Sequence, residues 1–204
     1  MKNLRIGFLF VFVLFCSLAE AQQGETKLSI NYNVALPMGD FKNVVSSSSF
    51  RGFNASILHG VSDKLSVGLA AGFQDFYQKY PRELYHFSDG SDVSAVVSYT
   101  IQTIPVLAQV KYSFNPESAI QPYAAIGVGG NLVAYNRLFG EFGDQRTKFG
   151  FAARPEAGLF IPFRNRISGF GIGASYNIMP FKEGDFKNLN NVGIHAGFSF
   201  PLRK

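Results

Sequence analysis

Arg154 and Glu156 stand two residues apart in the stretch FAARPEAG. In an extended strand that spacing sends both side chains to one face. Lys111 and Gln109 repeat the arrangement in LAQVKYS, and His195 sits among small residues in VGIHAGF. These are rare polar or charged positions in otherwise apolar or small-residue segments. A charge buried in such surroundings must find a partner. Lys111, Gln109, Arg154, Glu156 and His195 are therefore expected to meet in one interior polar network. Its role is either to fill and stiffen an interior or to narrow a passage.

A second group is the segment QDFYQKYPRELYHFSDG, residues 74–90. Tyr77, Tyr80, Tyr85 and Phe87 alternate there with Lys79, Arg82 and Glu83, which suits recognition of a protein or glycan. The binding candidates are Tyr77, Tyr80, Arg82, Tyr85 and Phe87. Packing against neighbouring loops is the plainer use of the same residues. His59, His86 and His195 are the only histidines, and their spacing matches no metal site. None lies at a recognisable nucleophile motif. No catalytic residue, metal or cofactor is expected, so the chain is expected not to be an enzyme. A lipid-modifying enzyme would need a His and a Ser brought together on a lipid-facing surface.

The elements carrying these residues read as strands. In 27–36 (KLSINYNVAL), Leu28, Ile30, Tyr32, Val34 and Leu36 alternate with Ser29, Asn31, Asn33 and Ala35. Such sets point to opposite sides of a sheet. The alternation recurs near 53–61, 65–74, 104–114, 149–161, 170–178 and 192–200, while 121–134 is strand-like but too glycine-rich to assign a face. That makes eight strands. Residues 37–50, 78–93, 135–148 and 179–190 read as long loops. Residues 62–64, 115–119 and 162–166 read as short turns. Long connections at one end and short ones at the other are the habit of a transmembrane barrel.

Residues 1–21 form the other clear unit. Lys2 and Arg5 precede the apolar run Ile6–Phe15, and Ala19 and Ala21 supply small residues before Gln22. This is the pattern of a secretory signal peptide cleaved after Ala21. Cleavage removes the single cysteine, so neither disulfides nor thiolate chemistry are expected in residues 22–204. It also removes two of the 19 basic residues and one of the 14 acids, leaving a net charge of +4. Those charges are dispersed, which argues against a nucleic-acid partner. Only 16% of residues are charged, yet mean hydropathy is just +0.07. Such a chain is too sparsely charged for an ordinary soluble exterior and too polar for a bundle of membrane helices.

In lipid every backbone group must be paired internally, which leaves helices and closed sheets. The expected fold is therefore all-β, an eight-stranded antiparallel up-and-down transmembrane β-barrel, closed by 27–36 against 191–202. The greasy face should meet lipid and the Gly, Ser, Asn and Ala face should fill a narrow lumen. Tyr32, Tyr112, Phe114, Tyr176, Phe198 and Phe200 are expected near strand ends as interfacial girdles. Both termini should lie at the short-turn, periplasmic end of a barrel in the cell outer membrane.

NYNVALPMGDF (31–41), TIPVLAQVKYSF (103–114), QPYAAIGVGG (121–130) and VGIHAGFSF (192–200) resemble the Bacteroidetes-type outer-membrane β-barrel domain, related to OmpA/OmpX-like eight-stranded barrels. The likeness spans 24–204. It implies outer-membrane lipid and lipopolysaccharide as surroundings and the barrel-assembly machinery as a partner during insertion. The chain ends in Pro201-Leu202-Arg203-Lys204 rather than in an aromatic residue, so that signal would fall on Phe198 and Phe200. The expected role is a structural or interaction component with a filled lumen, acting through its loops or an unidentified protein partner. A narrow porin-like channel, an accessory subunit of a secretion or gliding machine, and a lipid A-modifying enzyme are the alternatives.

Overall fold

A computed structural model describes residues 24–86, 92–139, 142–164, 167–183 and 186–202. Residues 1–21, expected to be a signal peptide, lie outside the described residues. Among the described residues ten strands and one short helix follow in chain order: β1 (Thr26–Pro37), α1 (Asp40–Val44), β2 (Ser49–Gly60), β3 (Leu65–His86), β4 (Asp92–Ser113), β5 (Gln121–Phe139), β6 (Phe142–Pro162), β7 (Gly169–Asn177), β8 (Pro180–Glu183), β9 (Phe186–Asn188) and β10 (Asn191–Pro201). Eight of them close a barrel in the order β1-β10-β7-β6-β5-β4-β3-β2. Each barrel strand pairs antiparallel with its neighbours. Closure runs from Lys27 opposite Pro201 to Pro37 opposite Asn191, as the sequence pattern predicts. No helix among the described residues is long and apolar enough to cross a membrane.

The two faces divide as the alternation requires. Ile30, Phe53, Leu69, Val106, Ile126, Phe151 and Ile194 all point outward and are about half exposed or more. A continuous band of such residues would be an aggregation surface in water and is a matched one in lipid. The six girdle aromatics also face outward. Tyr112 and Phe114 meet edge-on at 5.2 Å, and Phe198 meets Phe170 at 5.5 Å, both at the short-turn end. Tyr32 is an exception to the expectation, since it falls in the middle of β1 and donates its hydroxyl to Phe50 O.

The long connections differ from the sequence reading. Residues 78–86 and 92–93 belong to β3 and β4, and 135–139 and 142–148 to β5 and β6. Hydrophobic alternation fades there because a hairpin rising beyond the lipid has no greasy face to maintain. Its backbone pairing continues all the same, through Lys79–Ser98 and Tyr85–Val93 in one hairpin and Arg137–Asp144 in the other.

The other two connections fold over the mouth. The 38–48 segment carries α1, and 179–190 carries the β8–β9 hairpin. Phe41 and Val45 from the first, and Phe186 and Leu189 from the second, are almost fully buried against Phe76, Ile101 and Val133 on the barrel wall. Phe41 stacks edge-on with Phe76 at 4.9 Å and with Phe186 at 6.0 Å. An apolar plug therefore closes the long-loop end of the lumen.

Candidate functional site

Below the plug the lumen is polar. Asn33 donates to Gln74 Oε1 at 2.8 Å, and Gln74 in turn donates to Ser49 Oγ at 2.7 Å. Asn31 donates to Asn54 at 2.8 Å, and Asn177 to Asn191 at 2.8 Å. The gap left within this amide layer is a cavity of about 20 Å³, room for about one water. Amides paired in this way supply donors and acceptors to one another across the lumen.

The charged cluster lies one layer further down. Tyr123 on β5 donates its hydroxyl to Glu156 Oε1 on β6 at 3.0 Å. His195 on β10 brings Nε2 to 3.4 Å from the same carboxylate oxygen and 3.2 Å from Tyr123 Oη. Arg154 Nε stands 3.7 Å from Glu156 Oε2. Arg154 and His195 are buried, and the Glu156 side chain is only 12% exposed. Glu156 is thus the hub on which Arg154, His195 and Tyr123 converge.

Two glycines make the geometry feasible. A Cβ at Gly158 would stand 2.7 Å from Tyr123 Oη and 2.5 Å from Ile172 O. One at Gly173 would stand 2.8 Å from His195 Nε2. These positions are niches that let two large rings cross a narrow lumen.

Arg154, Glu156 and His195 meet as expected, and two other members behave differently. Lys111 makes no ion pair with Glu156. Its ammonium instead lies over the Tyr123 ring, 3.9 Å from the centroid. Gln109 is buried and lines a 30 Å³ cavity with Lys111 and Glu156, but takes no part in the network's hydrogen bonds. The carboxylate is already engaged by Tyr123, Arg154 and His195 on the β5, β6 and β10 side, so β4 reaches only the aromatic edge of the cluster. Tyr123 is the residue that sequence reasoning missed. Its strand was too rich in glycine to assign a face, and only the register of Tyr123 opposite Gly158 shows that it points inward.

The external candidates do not form one surface. Tyr77, Tyr80, Arg82 and Tyr85 lie on β3 rather than in a loop, and Phe87 lies outside the described residues. Tyr80 is half-buried and donates its hydroxyl to Val44 O at 2.6 Å, holding the plug. Tyr77 and Arg82 are exposed. The guanidinium of Arg51 lies 5.7 Å from the Tyr77 ring and 3.1 Å from Asp75. His59 faces outward and bonds Thr26 Oγ1 at 3.0 Å, remote from His195. Among the described residues no cluster of His, Cys, Asp or Glu is built to hold a metal.

The network predicts a measurable loss from a small change. Tyr123→Phe removes the hydroxyl that Glu156 accepts and is expected to destabilise the barrel by about 1.5–3 kcal/mol, the usual worth of a hydrogen bond to a charged group. Equilibrium urea unfolding in lipid vesicles would measure it. An unchanged midpoint would mean that the hydroxyl is not a donor in the native state.

Two solved structures share the architecture. The outer membrane protein OprG of Pseudomonas aeruginosa is 13% identical, with 89% of this chain and 97% of that chain covered and a TM-score of 0.55. Neisserial surface protein A is 14% identical, with 89% and 98% covered and a TM-score of 0.51. At that identity the likeness is one of fold. No curated protein matches the sequence. The model of the outer membrane protein beta-barrel domain matches residues 8–200, nearly the whole chain. With a closed antiparallel barrel, an apolar outer band and a packed polar lumen, the chain belongs to the outer membrane protein β-barrel domain family.

Proposed function

We propose that this outer-membrane barrel conducts nothing through its lumen and works as an interaction component, presenting the raised β3–β6 sheet to a protein partner outside the cell. The observation that carries this reading is the double closure of the lumen by the amide and charge layers below and the apolar plug above. A channel needs a continuous wet path, whereas the gaps within these layers measure only about 20 and 30 Å³. The raised sheet is the largest structure beyond the barrel and carries exposed Tyr77, Lys79 and Arg82. The reading is non-enzymatic, and it includes export with cleavage after Ala21 and insertion by the barrel-assembly machinery through Phe198 and Phe200. Kinship with the Bacteroidetes-type branch, and lipopolysaccharide around the outer leaflet, belong to the same reading.

In planar bilayers the purified protein is expected to give no discrete openings. Glu156→Ala should give none either, because the apolar plug remains. Steady openings in the parent protein would overturn the closed reading. For the partner, extraction of native envelopes in mild detergent should recover the barrel with a stoichiometric protein, lost when Tyr77→Ala and Arg82→Glu are combined. A barrel eluting alone would remove the interaction half of the proposal. Unchanged lipid A mass spectra with and without the protein are the expected companion result.

A further inference from the structure

The short-turn end of the lumen, which in such barrels faces the periplasm, is not filled. A cavity of about 360 Å³ lies there beneath the charged cluster, a size at the small end of ligand pockets. Two lysines reach into it. Lys111 Nζ lies 5.6 Å from the centroid of Phe160, and Lys27 Nζ lies 5.9 Å from the same ring. Both ammonium groups are therefore gathered at one buried aromatic wall.

Aromatic faces attract cations, but they offer no hydrogen-bond acceptor to the three donors of an ammonium. Among the described residues no carboxylate lies within ion-pairing distance of Lys111, because Glu156 is taken by Arg154 and His195. Lys27 has only Glu25, at 3.8 Å and about half exposed. Asp63, the other acid lining the cavity, is exposed in the β2–β3 turn. The acids thus sit at the exposed rim, Lys27 is about a third exposed beside them, and Lys111 is the cation nearest the charged cluster. Like charges drawn to one wall repel each other, and an entering counter-charge relieves that repulsion. Hydroxyls complete the lining: Ser29 Oγ and Ser199 Oγ are 2.7 Å apart, and Ser66 stands opposite Lys111 in the β3–β4 register.

We propose that this periplasmic cup binds a small oxyanion, the carboxylate or phosphate group of a small molecule, with Lys111 as its deepest contact and Lys27 and the serine hydroxyls around it. The ammonium groups supply charge and the hydroxyls supply directed donors. Leu58 and Phe160 form apolar walls that limit the size of the body attached to the anionic headgroup. The site is separated from the raised sheet by the full depth of the lumen, so it stands independently of any external partner.

The test uses the full mature chain in lipid nanodiscs, labelled for amide NMR. Inorganic phosphate and acetate are titrated separately against chloride at constant ionic strength. Saturable shifts confined to Lys27, Ser29, Ser66, Lys111 and Ser199 are expected, and whichever anion saturates at lower concentration names the headgroup. Lys111→Met should weaken that binding at least tenfold and Lys111→Arg should retain most of it. Heat-modifiable migration on a gel confirms that each variant is folded, and Lys27→Gln replaces Lys111→Met if the latter does not insert. Shifts that never saturate, that chloride reproduces, or that persist unchanged in the folded lysine variants would overturn the proposal.

Discussion

Replacing Glu156 by alanine is expected to lower the unfolding free energy by about 3–5 kcal/mol, the cost of stranding a buried charge by deleting its partner. The size of the effect reflects the convergence on this side chain. Arg154 stands 3.7 Å away, His195 3.4 Å and Tyr123 3.0 Å. Deleting the carboxylate leaves a guanidinium, 8% exposed, that pairs with no other acid among the described residues. Arg154→Met combined with Glu156→Met should lose less than Glu156→Ala alone, since it removes both charges and restores volume. The chain has no Trp, so far-UV circular dichroism during urea titration in vesicles is the suitable readout. A single variant as stable as its parent would mean that water reaches Arg154 through the lumen.

Phe41→Ala is expected to act on a different unit. Truncating a fully buried Phe costs about 3–5 kcal/mol in a packed core, and Phe41 is completely buried against Phe76 and Phe186. The loss should fall on docking of the plug rather than on the barrel. A helix of five residues has no stability of its own. It is held by Phe41 and Val45, by the bond from Tyr80 to Val44 O, and by Gln78 Oε1, which accepts from Ser47 Oγ at 3.0 Å. Local opening that becomes easier by this amount is more populated by about two to four orders of magnitude. Trypsin cleavage after the exposed Lys42 should quicken accordingly, with little change in the urea midpoint of the barrel. Slow cleavage together with a large fall in that midpoint would show that plug and barrel unfold as one.

The members of the lumenal cluster differed in how legible they were. Arg154 and Glu156 could be assigned to one inward face from a spacing of two, because strand geometry leaves no alternative. The small residues of that face also signalled a filled lumen, since eight strands enclose little space. Tyr123 could not be read this way. An inward glycine means only that something else occupies its place, and the occupant is set by the neighbouring strand's register. Lys111 was assigned to the correct face but to the wrong partner, because parity says nothing of depth along the barrel axis or of which carboxylate has already been claimed.

Period-two alternation over eight segments and an apolar face too greasy for water were sufficient by themselves to specify a transmembrane barrel, the face that meets lipid and the pair of strands that closes it. Both are local properties of the chain. The lengths of the raised hairpins, the infolded plug and the shared hub at Glu156 depended on tertiary structure. Outside lipid no hydropathic pattern constrains a strand, and within the lumen the contacts join residues as far apart as Tyr123 and His195. Such contacts depend on register and depth, which exist only once the sheet has closed.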